Sequence, residues 1–175
     1  MSTLVIRPAS AADLPRLTDI YNYYVRETHS TFDTREFTVE QRQAWFDRFS
    51  DEGPHRLLVG FDGGVAVGYA SSQALRPKPA YDQSVETTVY LAPEFTGCGY
   101  GRQLYRALLD TLRDLGSVHR LYGVIAMPND ASVRLHESLG FRHCATLNEV
   151  GYKFDRYWDT AWYELKMGEP PDKTA

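Results

Sequence analysis

The sequence predicts a mixed α/β fold of the α+β kind, in which helices flank a mostly antiparallel central sheet in the order βααβββαβαββ. Two β-rich runs joined by a D-G turn near residue 62 indicate a hairpin-rich first half. A glycine-rich stretch, a leucine stripe, an apolar strand and a short helix indicate βαβα units in the second half. The 175 residues suit a single domain, which we place at 1–167, with a flexible tail at 168–175.

The first elements are predicted to be a strand and two helices. Residues 3–7 form a short β-rich run, and Asp13 stands where a helix N-cap is expected. Thr38, with Gln41 three residues later, has the capping-box pattern before a second helix, and Gly53-Pro54 ends that segment. The first helix carries apolar and aromatic residues at helical spacing: Leu14, Leu17, Ile20, Tyr21 and Tyr24.

Three strands follow in the middle of the chain. Runs 55–61 and 65–75 are β-rich, and Asp62-Gly63-Gly64 between them is a strong hairpin signal. The stretch RPKPAYDQ is broken by prolines and reads as a loop, and VETTVYL after it reads as the third strand.

The second half alternates helices and strands. The segment after the glycine stretch is predicted to be a helix that ends at Gly116, because Leu104, Leu108, Leu112 and Leu115 make one apolar stripe. Residues 120–127 form an apolar strand, and Asn129 or Asp130 caps a short helix that ends at Gly140. Residues 141–147 and 157–167 are predicted to be the closing strands.

Composition excludes several classes of protein. A net charge of −4 with scattered basic residues argues against nucleic acid as a partner. No apolar run approaches the roughly 20 residues of a membrane span, and MSTLVIRPAS lacks the pattern of a secretory signal, so we expect a cytoplasmic protein. Cys98 and Cys144 lack metal or redox spacing and are expected to be free thiols; no metal site is predicted.

Gly97, Gly99 and Gly101 stand at alternate positions directly before the leucine-striped helix. A nucleotide P-loop would need Gly-Lys-Ser/Thr, which is absent. A dinucleotide fingerprint would need a small residue where Arg102 stands and an acidic residue where Met127 stands. Two interpretations remain open on the glycines alone: a pyrophosphate cradle at a helix N-terminus, and a tight turn without a ligand.

Two stretches resemble the Gcn5-related N-acetyltransferase superfamily: VETTVYLAPEFTGCGYGRQLYRALL and VIAMPNDASVRLHESLGF. Five pieces resemble, in order and spacing, the phosphinothricin N-acetyltransferase family: IYNYYV, STFDTRE, RPKPAYDQSVETTVY, MPNDASVRLHESLGF and VGYKFDRYWD. The resemblance covers residues 4–167, and PNDASVRLHE is a more specific motif than the glycines. It implies the superfamily fold, acetyl-CoA as co-substrate and acetyl transfer to a primary amine.

The resemblance assigns acetyl-CoA to a strand, a loop and a helix start. Asn129 is expected to hold the pantetheine arm with Ser132 one turn further, although each residue type is also a common helix cap. The superfamily loop usually opens with Arg or Gln where this chain has Thr96, which offers a hydroxyl and an N–H but no charge. The remaining expected contacts are Val89, Tyr90 and Leu91 in the strand, with Val89 and Tyr90 as oxyanion donors, and Gly97, Cys98, Gly99, Tyr100, Gly101 and Arg102 in the loop.

Glu86 and His136 are the expected catalytic residues. Glu86 stands in an otherwise apolar and β-branched run, where burial would raise the pKa of its carboxyl group, and the resemblance makes it the general base, acting through a water. Without the resemblance, a solvent-facing glutamate is the simpler interpretation. His136 replaces the tyrosine that often protonates the leaving thiolate, and its reference pKa of roughly 6.5 suits an acid or a proton acceptor. A surface or capping histidine is the alternative.

The substrate is expected to meet the loop before the Glu86 strand. Arg76, Lys78 and Tyr81 match family positions that bind an amino acid with a second anionic group, and Phe32 matches a further pocket position. A solvated basic loop is the alternative. Tyr23, His29 and Thr31 have weaker claims, and the segment GYKFDRYWD, with Lys153, is expected to frame the site or a dimer contact.

The sequence therefore predicts an N-acetyltransferase for a small glutamate-like amino acid such as phosphinothricin, methionine sulfoximine or an arsenic analogue. A detoxification role and a homodimer are expected with it. Two alternatives remain: an acetyltransferase for peptide or protein amines, and a module that binds acetyl-CoA without chemistry.

Overall fold

The structure is a computed structural model that describes residues 3–168. Within that range the elements follow the predicted order βααβββαβαββ, which is confirmed. The predicted tail lies outside the described residues from 169 onwards. The strands are β1 (Val5–Pro8), β2 (Leu57–Asp62), β3 (Val65–Ala74), β4 (Ser84–Leu91), β5 (Arg120–Ala126), β6 (Arg142–Lys153) and β7 (Arg156–Lys166). The helices are α1 (Leu14–Glu27), α2 (Val39–Phe46), α3 (Tyr100–Leu115) and α4 (Asp130–Ser138).

One mostly antiparallel sheet unites the seven strands of the described range, in the order β1-β2-β3-β4-β5-β7-β6. Only β4 and β5 pair in parallel, as expected for two strands connected through α3. Side chains alternate between the two faces of the sheet, so each face has its own core. Among the helices of residues 3–168, none combines the length and apolar character that a bilayer span requires.

The two cores explain where the helices lie. Leu104, Leu108 and Leu112 of α3 are fully buried with Val67 and Val85 of the sheet in the larger core. On the opposite face, the smaller core joins α1 to β2 and β3 through Leu17, Ile20, Leu57, Val59 and Tyr69. The leucine stripe predicted for α3 is therefore its packing face.

Helix and turn positions agree with their local sequence signals, with one exception. Thr38 and Gln41 form the predicted capping box, and Gly63 and Gly64 both have positive φ in the β2–β3 turn. Asp13 precedes α1 but its carboxylate does not cap that helix. It instead accepts hydrogen bonds from the Arg7 guanidinium at 2.8 and 2.9 Å, and these lower its pKa.

The strand predicted at residues 141–147 is too short. Strand β6 runs through residues 148–153 as well, and Phe154 and Asp155 then turn the chain into β7 with positive φ. The β6–β7 register shifts between Leu147 and Gly151, so a bulge breaks the alternation of side chains. A pattern search that relies on strict alternation ends the strand at that bulge.

Strands β4 and β5 separate along their length. They pair only where Ser84–Glu86 meets Arg120–Tyr122, whereas β5 stays paired with β7 along all of Arg120–Ala126. Beyond Glu86 and Tyr122 the two strands leave a wedge-shaped gap in the middle of the sheet. The backbone groups that β4 turns toward β5 have no strand partner there.

Candidate active site

Two cavities meet at the gap between β4 and β5. The strand-gap cavity, of about 460 Å³, includes the glycine loop, the start of α3, α4 and the gap itself. The Glu86 cavity, of about 360 Å³, lies on the α1 and α2 side of the sheet. The two cavities have five lining residues in common: Ser30, Thr88, Tyr90, Val124 and Ala126. A molecule in one cavity can therefore touch a molecule in the other.

The glycine loop leads into α3 through left-handed backbone. Gly97 and Gly99 have φ of 77° and 80°, and Gly99 is the N-cap of α3. Gly101 is different, because it lies within the first turn and a Cβ there would make ordinary contacts of 3.5 and 3.6 Å. Gly97, Gly99 and Gly101 all line the strand-gap cavity. The first N–H groups of α3 have no partner within the helix, so this end suits an anion.

Two of the loop residues predicted to contact acetyl-CoA, Cys98 and Tyr100, have side chains that lie outside the strand-gap cavity. The Cys98 side chain is exposed, and its thiol is free. The Tyr100 side chain is buried, and its hydroxyl donates to Asp62 at 2.5 Å. Neither residue lines the strand-gap cavity, so the expected contact of each with acetyl-CoA stays a prediction.

Thr96 has no donor left for a phosphate. Its hydroxyl donates to the carbonyl oxygen of Pro93 at 2.9 Å, and its N–H donates to the same oxygen at 3.3 Å. In this arrangement both groups are engaged within the loop, and the expected contact of Thr96 with a pyrophosphate stays a prediction. The positive charge in this part of the cavity comes from Arg102 and from Arg134, which the sequence reasoning missed although it lies in the motif PNDASVRLHE.

The backbone of β4 presents alternate residues to the gap. The N–H of Ala92 donates to the Val67 carbonyl of β3 at 2.8 Å, so strand alternation turns the Tyr90 backbone toward β3 as well. Val89 and Leu91 consequently turn their backbone groups toward the gap. The Leu91 carbonyl already accepts a hydrogen bond from the Tyr24 hydroxyl at 2.7 Å. Of the two candidate oxyanion donors, Val89 has the suitable direction and Tyr90 does not.

Glu86 lies half-buried in the wall of the cavity that bears its name. Burial raises the pKa of its carboxyl group, and the positive charge of Arg76 opposes that rise. Within residues 3–168 no hydrogen bond or ion pair engages the carboxylate. Glu86 is therefore available to a ligand and is a stronger base than an ordinary glutamate.

His136 is buried on the opposite face of the sheet and forms hydrogen bonds through both ring nitrogens. Its Nδ1 lies 2.8 Å from the Ser132 carbonyl, which can only accept, so Nδ1 carries the proton. Its Nε2 lies 3.1 Å from the Tyr105 hydroxyl, which in turn lies 2.6 Å from the Thr87 hydroxyl. Burial lowers the pKa of His136. Burial thus favours the neutral form of the ring, which weakens the expectation of an appreciable protonated fraction.

Asn129 and Ser132 combine the two roles that the sequence left open. The side-chain oxygen of Asn129 accepts from the Ser132 N–H at 3.1 Å and so caps α4. Both residues also line the strand-gap cavity. Capping and ligand contact therefore do not exclude each other here.

The predicted substrate residues divide into two groups. Phe32 lines the Glu86 cavity and packs on Gly151, where a Cβ would come within 2.3 Å of its ring. Arg76 lies near enough to act on the pKa of Glu86. Lys78 and Tyr81 are exposed and line neither cavity of this chain, so their contact with substrate stays a prediction.

Contacts with residues distant in sequence hold the loop between α1 and α2 in place. The buried ammonium of Lys153 donates to the Thr31 carbonyl at 2.8 Å, and burial lowers the pKa of this lysine. His29 stacks on Trp158 with ring centroids 4.0 Å apart, and its Nε2 lies 2.9 Å from the Pro128 carbonyl. These contacts hold Ser30 and Phe32 against the cavities. Tyr23 packs on Tyr24 and lines neither cavity.

Sequence reasoning also missed Arg42, which lines the Glu86 cavity from α2. Arg42 is buried beside Trp45 and the ring of Tyr21. A signal existed, since Arg42 stands three and four residues before Trp45 and Phe46, on the apolar side of the helix. A single charge on such a face marks either a buried ion pair or a binding site.

Comparisons with known proteins agree with this geometry. A model described as the acetyltransferase (GNAT) family matches residues 17–141. The chain is 53% identical over 164 residues to the phosphinothricin N-acetyltransferase of Streptomyces coelicolor, covering 93% of this chain and 95% of that one. It is 36% identical over 166 residues to the L-methionine sulfoximine/L-methionine sulfone acetyltransferase of Salmonella typhimurium, covering 95% and 96%. The structure of a GNAT phosphinothricin acetyltransferase from Sinorhizobium meliloti, in complex with acetyl-CoA, matches with a TM-score of 0.91 at 29% identity over 99% of this chain and 96% of that one.

Proposed function

This chain belongs to the GNAT acetyltransferase family, and we propose that residues 1–167 form one domain that transfers an acetyl group from acetyl-CoA to the amine of a small glutamate-like amino acid. The observation that carries the proposal is the meeting of the Glu86 cavity and the strand-gap cavity at the β4–β5 gap. The names of the relatives, which act on phosphinothricin and on methionine sulfoximine or sulfone, support the substrate class.

The residues of the strand-gap cavity fit acetyl-CoA. A Cβ built on Gly97 would have open space within 4 Å, and the first turn of α3 offers N–H groups to a pyrophosphate. Arg102 and Arg134 add positive charge, and Asn129 with Ser132 would meet the pantetheine arm. When bound, acetyl-CoA supplies an activated acyl group on a good leaving group.

Glu86 is the proposed general base. An α-amino group has a pKa near roughly 8, so it is mostly protonated at neutral pH and must lose a proton before it attacks. The Glu86 carboxylate accepts that proton through a water, with a basicity raised by burial. The Val89 N–H then donates to the acyl oxygen as negative charge develops on it.

His136 is the second proposed catalytic residue, in the role of acceptor for the second proton, which the amine nitrogen still carries after it has attacked the acyl carbon. In the neutral ring Nε2 accepts from the Tyr105 hydroxyl. When Nε2 gains a proton, Tyr105 can turn its hydrogen to Thr87, whose own hydroxyl donates to the Tyr122 carbonyl at 3.2 Å. This chain of hydroxyls can accommodate an extra proton, which favours acceptance over donation to the thiolate.

The assay for this proposal is thiol release from acetyl-CoA by the purified chain. We expect turnover with phosphinothricin, methionine sulfoximine or an arsenic analogue, and none with peptides, because a cavity of about 360 Å³ suits a small amino acid. Turnover of peptides alone would contradict the substrate class.

We also propose a detoxification role in the cytoplasm. The exposed thiols of Cys98 and Cys144 fit a reducing compartment. Expression of the chain in a phosphinothricin-sensitive bacterium should raise the tolerated concentration of that compound, and expression of Glu86→Gln should not. Equal tolerance with both forms would exclude acetylation as the cause.

A homodimer is proposed on the basis of the β6–β7 hairpin. Val150, Tyr152, Phe154 and Tyr157 on this hairpin are each more than half exposed, which is an unusual concentration of large apolar side chains on a surface. Sedimentation equilibrium should give twice the chain mass of 19.9 kDa. A Tyr152→Asp, Tyr157→Asp double variant should sediment as a monomer, and a wild-type monomer would contradict the proposal.

Thr96→Arg should lower the KM for acetyl-CoA by about three- to tenfold at low salt, because it adds a charge-assisted contact to the phosphates. Thr96→Ala is the matched control and should change this KM little, since the Thr96 hydroxyl is committed to Pro93. The gain with arginine should shrink as salt rises. An unchanged KM at low salt would show that position 96 does not face the phosphates.

Gly151→Ala should raise the KM for the amino acid several-fold and leave the KM for acetyl-CoA unchanged. The new Cβ would overlap the Phe32 ring, so this wall of the Glu86 cavity must move. In a Phe32→Ala background the same change should have little further effect, because the clash is gone. Additive effects of the two changes would separate Gly151 from the pocket wall.

A further inference from the structure

Arg42 is a buried cation in the wall of the Glu86 cavity. Its residue surface is only 5% exposed. The guanidinium carbon lies 3.7 Å from the centroid of the Trp45 ring and 4.3 Å from that of Tyr21. These rings fix the plane of the guanidinium group and attract its charge.

The guanidinium has the Tyr69 hydroxyl as a hydrogen-bond partner but no carboxylate partner within residues 3–168. Its Nε and Nη2 have no hydrogen-bond acceptor within residues 3–168, and none of the ion pairs in that range includes Arg42. Asp33 lines the same cavity, but its carboxylate accepts from the Tyr21 hydroxyl. Stacking on aromatic rings offsets only part of the cost of burying an unpaired charge. The positive charge of Arg42 therefore has no counter-ion among residues 3–168.

The charges of the cavity are divided between its two ends. The positive charge that acts on the Glu86 carboxyl is that of Arg76. Arg42 instead acts on the hydroxyls of Tyr21 and Tyr69. A substrate whose amine lies near Glu86 can therefore direct an anionic group, some atoms away from the amine, toward the Arg42 guanidinium.

We propose that Arg42 binds an anionic group of the amino-acid substrate inside the Glu86 cavity. This inference rests on the proposed function and specifies its substrate recognition. Arginine matches the two oxygens of a carboxylate or a phosphinate with two parallel N–H groups. The anion is either the α-carboxylate or the side-chain anion, and both carry the negative charge that attracts a cavity-lining guanidinium without a carboxylate partner.

The test compares three substrates with the full-length wild-type chain: phosphinothricin, methionine sulfoximine and methionine sulfoximine carboxamide. If Arg42 binds the α-carboxylate, the carboxamide has a KM at least about tenfold above that of the parent amino acid. If Arg42 binds the side-chain anion, phosphinothricin has the lower KM by a similar factor. A wild-type enzyme that shows neither preference overturns the proposal without any variant.

Arg42→Met then removes the charge and keeps an unbranched side chain on the aromatic rings. We expect the wild-type preference to disappear through KM, with a smaller change in kcat and an unchanged KM for acetyl-CoA. Arg42→Lys should keep part of the preference, because a point charge remains without the fork. Arg106→Met, on the exposed surface of α3, makes the same change of net charge and should keep the full preference.

The outcomes separate the two proposals. A preference that persists in a folded Arg42→Met variant overturns the role of Arg42 and leaves the acetyltransferase proposal intact. A wild-type chain that releases no thiol with any amino acid overturns both. If Arg42→Met does not fold, Arg42→Lys and the wild-type preference decide, and a wild-type preference that Arg42→Lys leaves fully intact counts against the proposal.

Discussion

Glu86→Gln should lower kcat/KM for the amino acid by about 10²- to 10⁴-fold, the usual contribution of a positioned general base. Glutamine has nearly the same shape and cannot take the proton of the amine. The loss should appear in kcat, with little change in the KM for acetyl-CoA, because Glu86 lines the substrate cavity and not the strand-gap cavity. A rate within threefold of wild type would remove Glu86 from the mechanism.

The pH dependence gives an independent check on Glu86. The pKa of its carboxyl group is raised, so log kcat/KM of the wild type should fall on the acid side with a midpoint above the ordinary glutamate value. In Glu86→Gln that midpoint should disappear. An acid limb that the variant retains would have to come from another group.

Glu86→Gln should lower activity but should not lower the stability of the fold. A raised pKa means that the folded state holds the proton more tightly than the unfolded chain, so stability falls as pH rises from the ordinary glutamate value through the folded one. A glutamine at position 86 does not titrate, so the variant does not lose stability in this way as the pH rises. At neutral pH the variant should unfold thermally at or slightly above the wild-type temperature, which separates lost activity from lost structure.

Gly68→Ala should destabilise the fold more than Gly151→Ala does, because the added methyl group meets backbone and not a side chain. A Cβ at Gly68 would lie 2.4 Å from the Tyr90 carbonyl oxygen and 3.0 Å from the Leu91 Cα, and backbone cannot yield as a side chain does. Strands β3 and β4 must then move apart. We expect a loss of about 2–4 kcal/mol in the free energy of unfolding, or roughly 5–15 °C in Tm.

The same change should weaken binding of acetyl-CoA, because residues 89–91 line the strand-gap cavity. Gly168→Ala is the control, since a Cβ there meets nothing within 4 Å. Calorimetric unfolding with and without acetyl-CoA measures both effects. A Tm within 2 °C of wild type would mean that the sheet absorbs the methyl group without strain.

Features that depend on neighbouring residues could be predicted from the sequence, and features that depend on folded partners could not. The box of Thr38 and Gln41 and the left-handed Gly116 need only local backbone, so their residue types identify them. The lowered pKa of His136 depends on burial by distant elements, and the occupied hydroxyl of Thr96 depends on how its loop closes on Pro93.

The contents of the Glu86 cavity illustrate the same limit. Glu86 and Phe32 could be found through the family resemblance, since each lies in a recognisable piece of sequence. Arg42 enters the cavity only because α2 packs with its apolar side toward Tyr21 and Tyr69. Lys153 reaches Thr31 because the β6–β7 hairpin folds back over the α1–α2 loop, a contact between residues 122 positions apart.

The separation of β4 from β5 divides the sheet into two hydrogen-bonded blocks, β1 to β4 and β5 to β7, joined by three residue pairs. We call the line where β4 and β5 separate the seam. Backbone amides beside it, such as those of Val89 and Leu91, exchange with solvent through small local openings, because no strand protects them. A ligand bound at the seam contacts both blocks. At a concentration one hundred times its Kd it adds about 2.7 kcal/mol to the free energy of unfolding. The lifetime of the protein against proteases therefore follows the supply of the molecule that occupies the seam.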